Sequence, residues 1–157
     1  MTDFYASYKA VFDAIKTALV YVAAVPAEGE VPEVPAQGVE SIGTVVLGEQ
    51  FTHGNLPKAI INAEAAPIGQ ASMGDFLEAR VRGSIILVIR EYEPEDWFKD
   101  IISVMGDVMD ALLADRSLGG VCFDSVPTGF SPGEVKFKEK VYFGGVVRWE
   151  AIVHYAP

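Results

Sequence analysis

Residues 77–91 read LEARVRGSIILVIRE, and the alternation within them decides the kind of fold. Ala79, Val81, Ile85, Leu87 and Ile89 recur at every second position, with Glu78, Arg80, Arg82, Ser84 and Arg90 between them. A period of two is that of a strand with one face on a core and the other toward water. Ile86 and Val88 interrupt the polar set, so part of the second face is expected to be covered as well.

Immediately downstream the period changes to that of a helix. Pro94 suits a first turn, and Glu93, Glu95 and Asp96 complement the positive end of a helix dipole. Phe98, Ile101, Ile102, Met105, Val108, Met109, Leu112 and Leu113 make one wide apolar face. At ~100° per residue, Asp96, Asp100, Ser103, Asp107 and Asp110 fall on the opposite side. Gly119 and Gly120 end the segment.

Upstream, Phe4, Tyr8, Val11, Phe12, Ile15, Leu19 and Val22 recur at helical spacing, and Pro26 marks where that first helix must have ended. Residues 26–38 (PAEGEVPEVPAQG) carry three prolines and three glutamates with no helical or strand period, and read as an extended acidic linker or flexible loop. Residues 39–52 are ambiguous between a short strand and a turn of helix. Ala59–Ala66 gives a strand signal stopped by Pro67, and a loop rich in Gly and Ser follows. Two further strands are predicted near Val121–Val126 and Val141–Tyr155, joined by a Gly/Pro-rich loop from Pro127 to Gly133.

The order helix, linker, two strands, helix, two strands predicts an α+β fold. It is a mostly antiparallel sheet of about four strands with two helices packed on it. The shared core is expected to include Val81, Ile85, Leu87, Phe98, Ile101, Met105, Met109, Leu112, Val147, Trp149 and Val153. The loops at 65–76 and 127–140 are expected to carry assembly contacts and to be mobile.

The whole chain of 157 residues is the size of one domain, with residues 26–38 as its linker. Half the residues are hydrophobic and 22% are charged, which excludes disorder of the chain as a whole. A net charge of -10 disfavours a DNA- or RNA-binding protein, which would carry a basic face. The one cysteine, Cys122, excludes a disulfide framework and lies in an apolar run that predicts a buried thiol. No apolar stretch approaches the ~20 residues of a membrane-spanning helix, and the chain opens without a basic segment ahead of an apolar one. These features predict a soluble protein made in a cytoplasm, with no membrane partner.

The residues that carry chemistry are sparse. No glycine-rich loop has phosphate-binding spacing, and His53 and His154 lack a second ligand at metal spacing. Ser72, Ser84, Ser103 and Ser131 lack the context of a nucleophile. The sequence predicts no catalytic residue, no cofactor and no metal, hence no enzyme. Two charged features remain as candidate oligomer interface. The acidic stripe Asp96, Asp100, Asp107 and Asp110 is read first as a solvated helix face and second as a protein contact. Asp100 and Asp107 stand about 10 Å apart along the axis, too far for one metal ion. Lys136, Lys138 and Lys140 alternate before the last strand, as edge protection or as a positive patch meeting an acidic one on a neighbouring copy. In the second reading Asp100 and Asp107 are their partners.

Two stretches carry a resemblance. Asp110–Gly120 (DALLADRSLGG) ends a helix on Leu-Gly-Gly, and Tyr142–Tyr155 (YFGGVVRWEAIVHY) is a closing strand with an aromatic, two glycines and an alternating run. Together with Leu56–Glu64 (LPKAIINAE), the pattern resembles the tail terminator and tail-completion proteins of tailed viruses of bacteria and archaea. The resemblance covers about residues 1–24 and 56–157, and the stretch at 26–38 departs from it. It implies a structural virion protein at the head–tail junction, assembled in the host cytoplasm. Such a protein forms a ring, usually hexameric, that caps the tail tube and meets the head-side connector or neck protein, while DNA passes through unbound. A head–tail neck protein, a tail tube protein and a small-molecule-binding cellular α+β domain are the alternatives.

Overall fold

The alternating stretch at 77–91 is the spine of a six-stranded sheet. The computed structural model describes residues 4–48, 56–70, 77–91, 97–137 and 140–155. In chain order the elements are α1 (Phe4–Leu19), β1 (Thr44–Leu47), β2 (Lys58–Ala63), β3 (Ile68–Gln70), β4 (Leu77–Glu91), α2 (Trp97–Ala114), β5 (Asp124–Phe137) and β6 (Lys140–Tyr155). The sheet order is β1-β2-β4-β6-β5, with β3 pairing with β4 off this path. β1 runs parallel to β2, and every other pairing is antiparallel. The fold is α+β with two helices, as the periodicities predict.

Both helices lie on one face. Ala79, Val81, Ile85 and Leu87 of β4 and Val147, Trp149, Ala151 and Val153 of β6 share a core with Val11, Ile15 and Leu19 of α1 and Ile101, Met105 and Leu112 of α2. Phe4, Tyr8 and Phe12 run down α1 at four-residue spacing, with ring centroids 5.8 and 5.0 Å apart. Phe4 meets Tyr155 at 5.2 Å, and Phe12 meets Trp149 edge-on at 5.2 Å, which docks the helix on β6. Of the predicted core, Met109 is only partly buried, and Phe98 lies outside the residues whose side chains are described.

The other face divides in two. At one end Arg82 Nε pairs with Glu150 Oε2 at 2.8 Å, and Arg80 contacts Glu78 at 3.2 Å and Glu150 at 3.6 Å. At the other end Lys58, Ile60, Ser84 and Val88 are buried. The expectation drawn from Val88 is met; Ile86 is half-buried.

Three sequence readings are corrected. Among the described residues the strands number six instead of about four, because β1 has four residues and β3 three, too few to display a period. The predicted loop at Pro127–Gly133 is strand: β5 pairs with β6 without a break except for a bulge between Pro127 and Gly129. Pro127 and Pro132 fit there because β5 is an edge strand, where prolines do not interrupt a second ladder. The predicted loop at 65–76 likewise contains β3, and its remainder from 71 lies outside the described residues.

The third correction concerns residues 26–38. They belong to a two-legged arm closed by antiparallel bridges Val22–Gln37, Val25–Val34 and Glu28–Val31. Val25 and Val34 exchange backbone N–H···O bonds of 2.8 and 2.9 Å, and Val22 and Gln37 do the same at 2.8 and 3.0 Å. The bridged positions repeat every three residues, the period of a polyproline II chain. Pro26, Pro32 and Pro35 each follow a bridged residue, so no proline stands where an N–H is used. Gly29, with φ 58°, sits in the turn at the tip.

Candidate interaction surfaces

The end of α2 is built by its own sequence. Leu118, Gly119 and Gly120 have φ of 50°, 73° and 87°, which no helix can continue. Asp115 organises the turn: its carboxylate accepts from Ser117 Oγ at 2.7 Å, Gly119 N–H at 2.8 Å and Ser117 N–H at 3.0 Å. These three donors hold its pKa below the usual carboxylate value, the Ser117 hydroxyl contributing most. Arg116 points the other way and grips Asp124 with two bonds of 2.7 and 2.6 Å. Its carbonyl accepts from Ser125 Oγ at 2.9 Å and from the Cys122 thiol at 3.4 Å. The helix end is thereby tied to the start of β5.

The arm is anchored beside it. Val39 N–H donates to the Leu19 carbonyl at 3.1 Å, which brings the returning leg back to the end of α1. Gly38, at φ 82°, is required there, since a Cβ would stand on the Val20 carbonyl. Val39 and Ile42 are buried below, and Ser41 Oγ donates to Asp107 Oδ2 at 3.4 Å. Between α1, α2 and the arm base lies a groove of about 1320 Å³. Ala14, Ala18, Ala111 and Ala114 line it with small side chains, and Glu40, Asp107, Asp110 and Asp115 line it with carboxylates. Among the described residues, no Lys, Arg or His lines it.

The structure gathers only part of the predicted stripe. Asp107 and Asp110 are exposed and meet in the groove, whereas Asp100 is half-buried about 10 Å along α2. Asp96 and Lys138 lie outside the described residues. Lys136 on β5 and Lys140 on β6 are exposed and flank the turn between those strands. Glu40, Asp115 and the arm were missed by pattern reading. Asp115 had a signal, an Asp followed by Ser at the second and Gly at the fourth position after it. The arm had one too, in the repeated Val-Pro pairs at 25, 31 and 34.

Apolar groups stand outside the core in two further places. Val22, Val25, Val31 and Val34 on the arm are between 44% and 59% exposed. Phe123 is 72% exposed and stacks on His154 at 5.0 Å, and Phe130 on the edge strand is 47% exposed. Among the described residues, no three His, Cys, Asp or Glu side chains are placed to hold a metal ion, and no helix is long and apolar enough to cross a membrane. What the surfaces offer is contact: an acidic groove, an apolar arm, and an edge strand with Lys136 exposed near its end. Compared with known proteins, the chain matches no family model and no curated protein.

Proposed function

We propose that the chain is the subunit of a ring, of the tail terminator or tail-completion kind, that caps a tail tube at the head–tail junction of a virion. Its partners are further copies of itself in a hexameric ring, the tail tube protein, and the head-side connector or neck protein. It acts by contact and catalyses no reaction. The observation that carries this reading is the arm. Four valines stand exposed on a hairpin held by its own backbone bonds, with Glu28, Glu30 and Glu33 interleaved. A freestanding subunit leaves that surface in water at a cost, and an assembled one covers it. The net charge of -10 suits a ring that DNA must traverse without sticking. Three residues beyond Asp110–Gly120, Phe123 N–H donates to the Ile152 carbonyl in Tyr142–Tyr155 at 2.8 Å.

The groove favours one second reading, a small-molecule-binding domain. Its volume exceeds the ~300–1,000 Å³ of most ligand pockets, and among the described residues no cation lines it to orient an anionic ligand. Sizing the purified chain and imaging it in negative stain separates the readings. Rings with a central opening, which bind the end of purified tail tubes and stop their growth, are the expected result. A chain that stays monomeric at every concentration tested and leaves tube growth unchanged overturns the ring.

A further inference from the structure

Helix α2 has three sides. Ile101, Met105, Val108 and Leu112 are buried in the core against the sheet, while Asp107, Ala111 and Ala114 line the groove beside α1. The third side carries Ile102, Gly106, Met109 and Leu113, spaced four, three and four residues apart. That spacing makes one straight seam along a helix, of the kind that packs against a second helix. Ile102 and Leu113 are 39% and 45% exposed, and Met109 is half-buried. A Cβ at Gly106 would meet nothing within 4 Å among the described residues, so the seam has an open notch at its middle. It runs along the outer flank of the fold, because α2 packs on β5 and β6 and β5 is the edge strand.

We propose that two copies of the chain pair through this seam, their α2 helices antiparallel about a twofold axis at Gly106. The inference goes beyond the ring reading and does not rest on it. In a twofold contact each surface meets itself, so the seam must complement its own reverse. It does so in shape and in charge. With Gly106 on the axis, Ile102 of each copy falls between Met109 and Leu113 of the other. The missing side chain lets the helices approach there, and the apolar side chains close around the notch. Lys99 and Asp110 are exposed and flank the seam on the side away from the sheet, about 20° apart at ~100° per residue. Within one chain they stand about 17 Å apart along the axis, too far to pair. In the antiparallel pair Lys99 faces position 113 of the other copy, about 4.5 Å along the axis from its Asp110 and within reach of a lysine side chain. The occupant is a second copy because that charge match, made twice, needs a partner carrying the same two residues in reverse order. Exposed pairs of this kind fix register more than strength, and salt weakens them. The seam spans about 17 Å from Ile102 to Leu113, so the contact is small and the dimer reversible. Ring contacts, being head-to-tail, use other surfaces.

Sedimentation of the full chain at low salt should show a reversible equilibrium between monomer and dimer. Gly106→Gln fills the notch. Its site is exposed with open space around it, and glycine is a poor helix former, so the melting temperature of the dilute protein should hold or rise. The dimer Kd should nevertheless increase about tenfold. Lys99→Glu alone and Asp110→Lys alone should each weaken the dimer, and the two together in one chain should restore it, since each reversed charge then meets its reversed partner. A chain that stays monomeric at every concentration yet still caps tail tubes overturns the dimer and leaves the ring reading standing. A dimer that responds to these variants but never yields rings supports this contact and overturns the ring. A dimer indifferent to Gly106→Gln, or charge reversals that fail to rescue one another, overturn the seam.

Discussion

Gly83 on β4 lies directly opposite Trp149 on β6, and the indole ring occupies the space where a side chain at 83 would stand. The glycine is what lets the largest side chain of the core lie flat on the sheet, with Phe12 closing over it from α1. Overpacking a filled core costs ~1–3 kcal/mol, so Gly83→Ala should destabilise the fold by about that much. Urea unfolding measures it, and a loss below half a kcal/mol would mean the ring has somewhere else to go.

The phase of α2 gives a paired prediction. Leu112 is 4% exposed and Leu113, the next residue, is 45% exposed. Leu112→Ala should cost ~2–5 kcal/mol, as for other buried leucines, and Leu113→Ala within ~0.5 kcal/mol of zero, as for an exposed site. Equal losses at the two positions would show that the helix is rotated from the orientation described.

Cys122 is predicted to be inert. Burial pushes its thiol pKa up, a hydrogen bond with Ser125 opposes this, and the nearby charges of Asp124 and Asp115 push it up again. At pH 8 the thiolate fraction is therefore smaller than for a free cysteine. A disulfide exchange reagent should leave the native protein unlabelled over hours and label it fully in denaturant. Rapid native labelling would contradict both the burial and the bond to the Arg116 carbonyl.

Asp115 supplies a pH prediction with a definite sign. A carboxylate whose pKa is depressed on folding stabilises above its unfolded value, and that contribution is lost as pH falls through the folded one. The loop at 115–120 should keep its structure through the ordinary carboxylate range and loosen only below the value of 3.8 of a free side chain. The amide resonances of Ser117 and Gly119 report it. A midpoint at or above 3.8 would sink the assignment, and Asp115→Asn should abolish the titration.

How much could be read in advance follows from which elements repeat. β4, β6 and both helices are long enough for a period to show, and nine of the eleven core residues drawn from them are buried. The breadth of the α2 face was overdrawn, since Ile102 and Leu113 count as apolar in a wheel yet lie beyond the arc the sheet covers. β5 was hidden because its prolines and glycines signal a loop, and only its place at the sheet edge makes them tolerable. Of the candidate site, the acidic residues of α2 and the lysines were legible as patches. Their placement relative to each other was not, because it is set by long-range pairing.

The arm is the element whose sequence is least like a strand and whose exposure is hardest to explain in isolation. Its backbone bonds close on themselves, and Val39 and Ile42 at its base are buried in the core. The fold should therefore tolerate changes at its valines, each of which is an exposed site worth within ~0.5 kcal/mol. Replacing Val22, Val25, Val31 and Val34 together by Ser should leave the melting temperature of the dilute protein nearly unchanged. Assembly should suffer instead, because the removed apolar area is what a neighbouring subunit or the tail tube would cover. Two readouts locate the contact. Rings that form normally but no longer bind tube ends place the arm on the tail tube, whereas subunits that fail to form rings place it between copies. Normal rings that cap tubes normally would remove the arm from assembly altogether, and with it the main support for the ring reading.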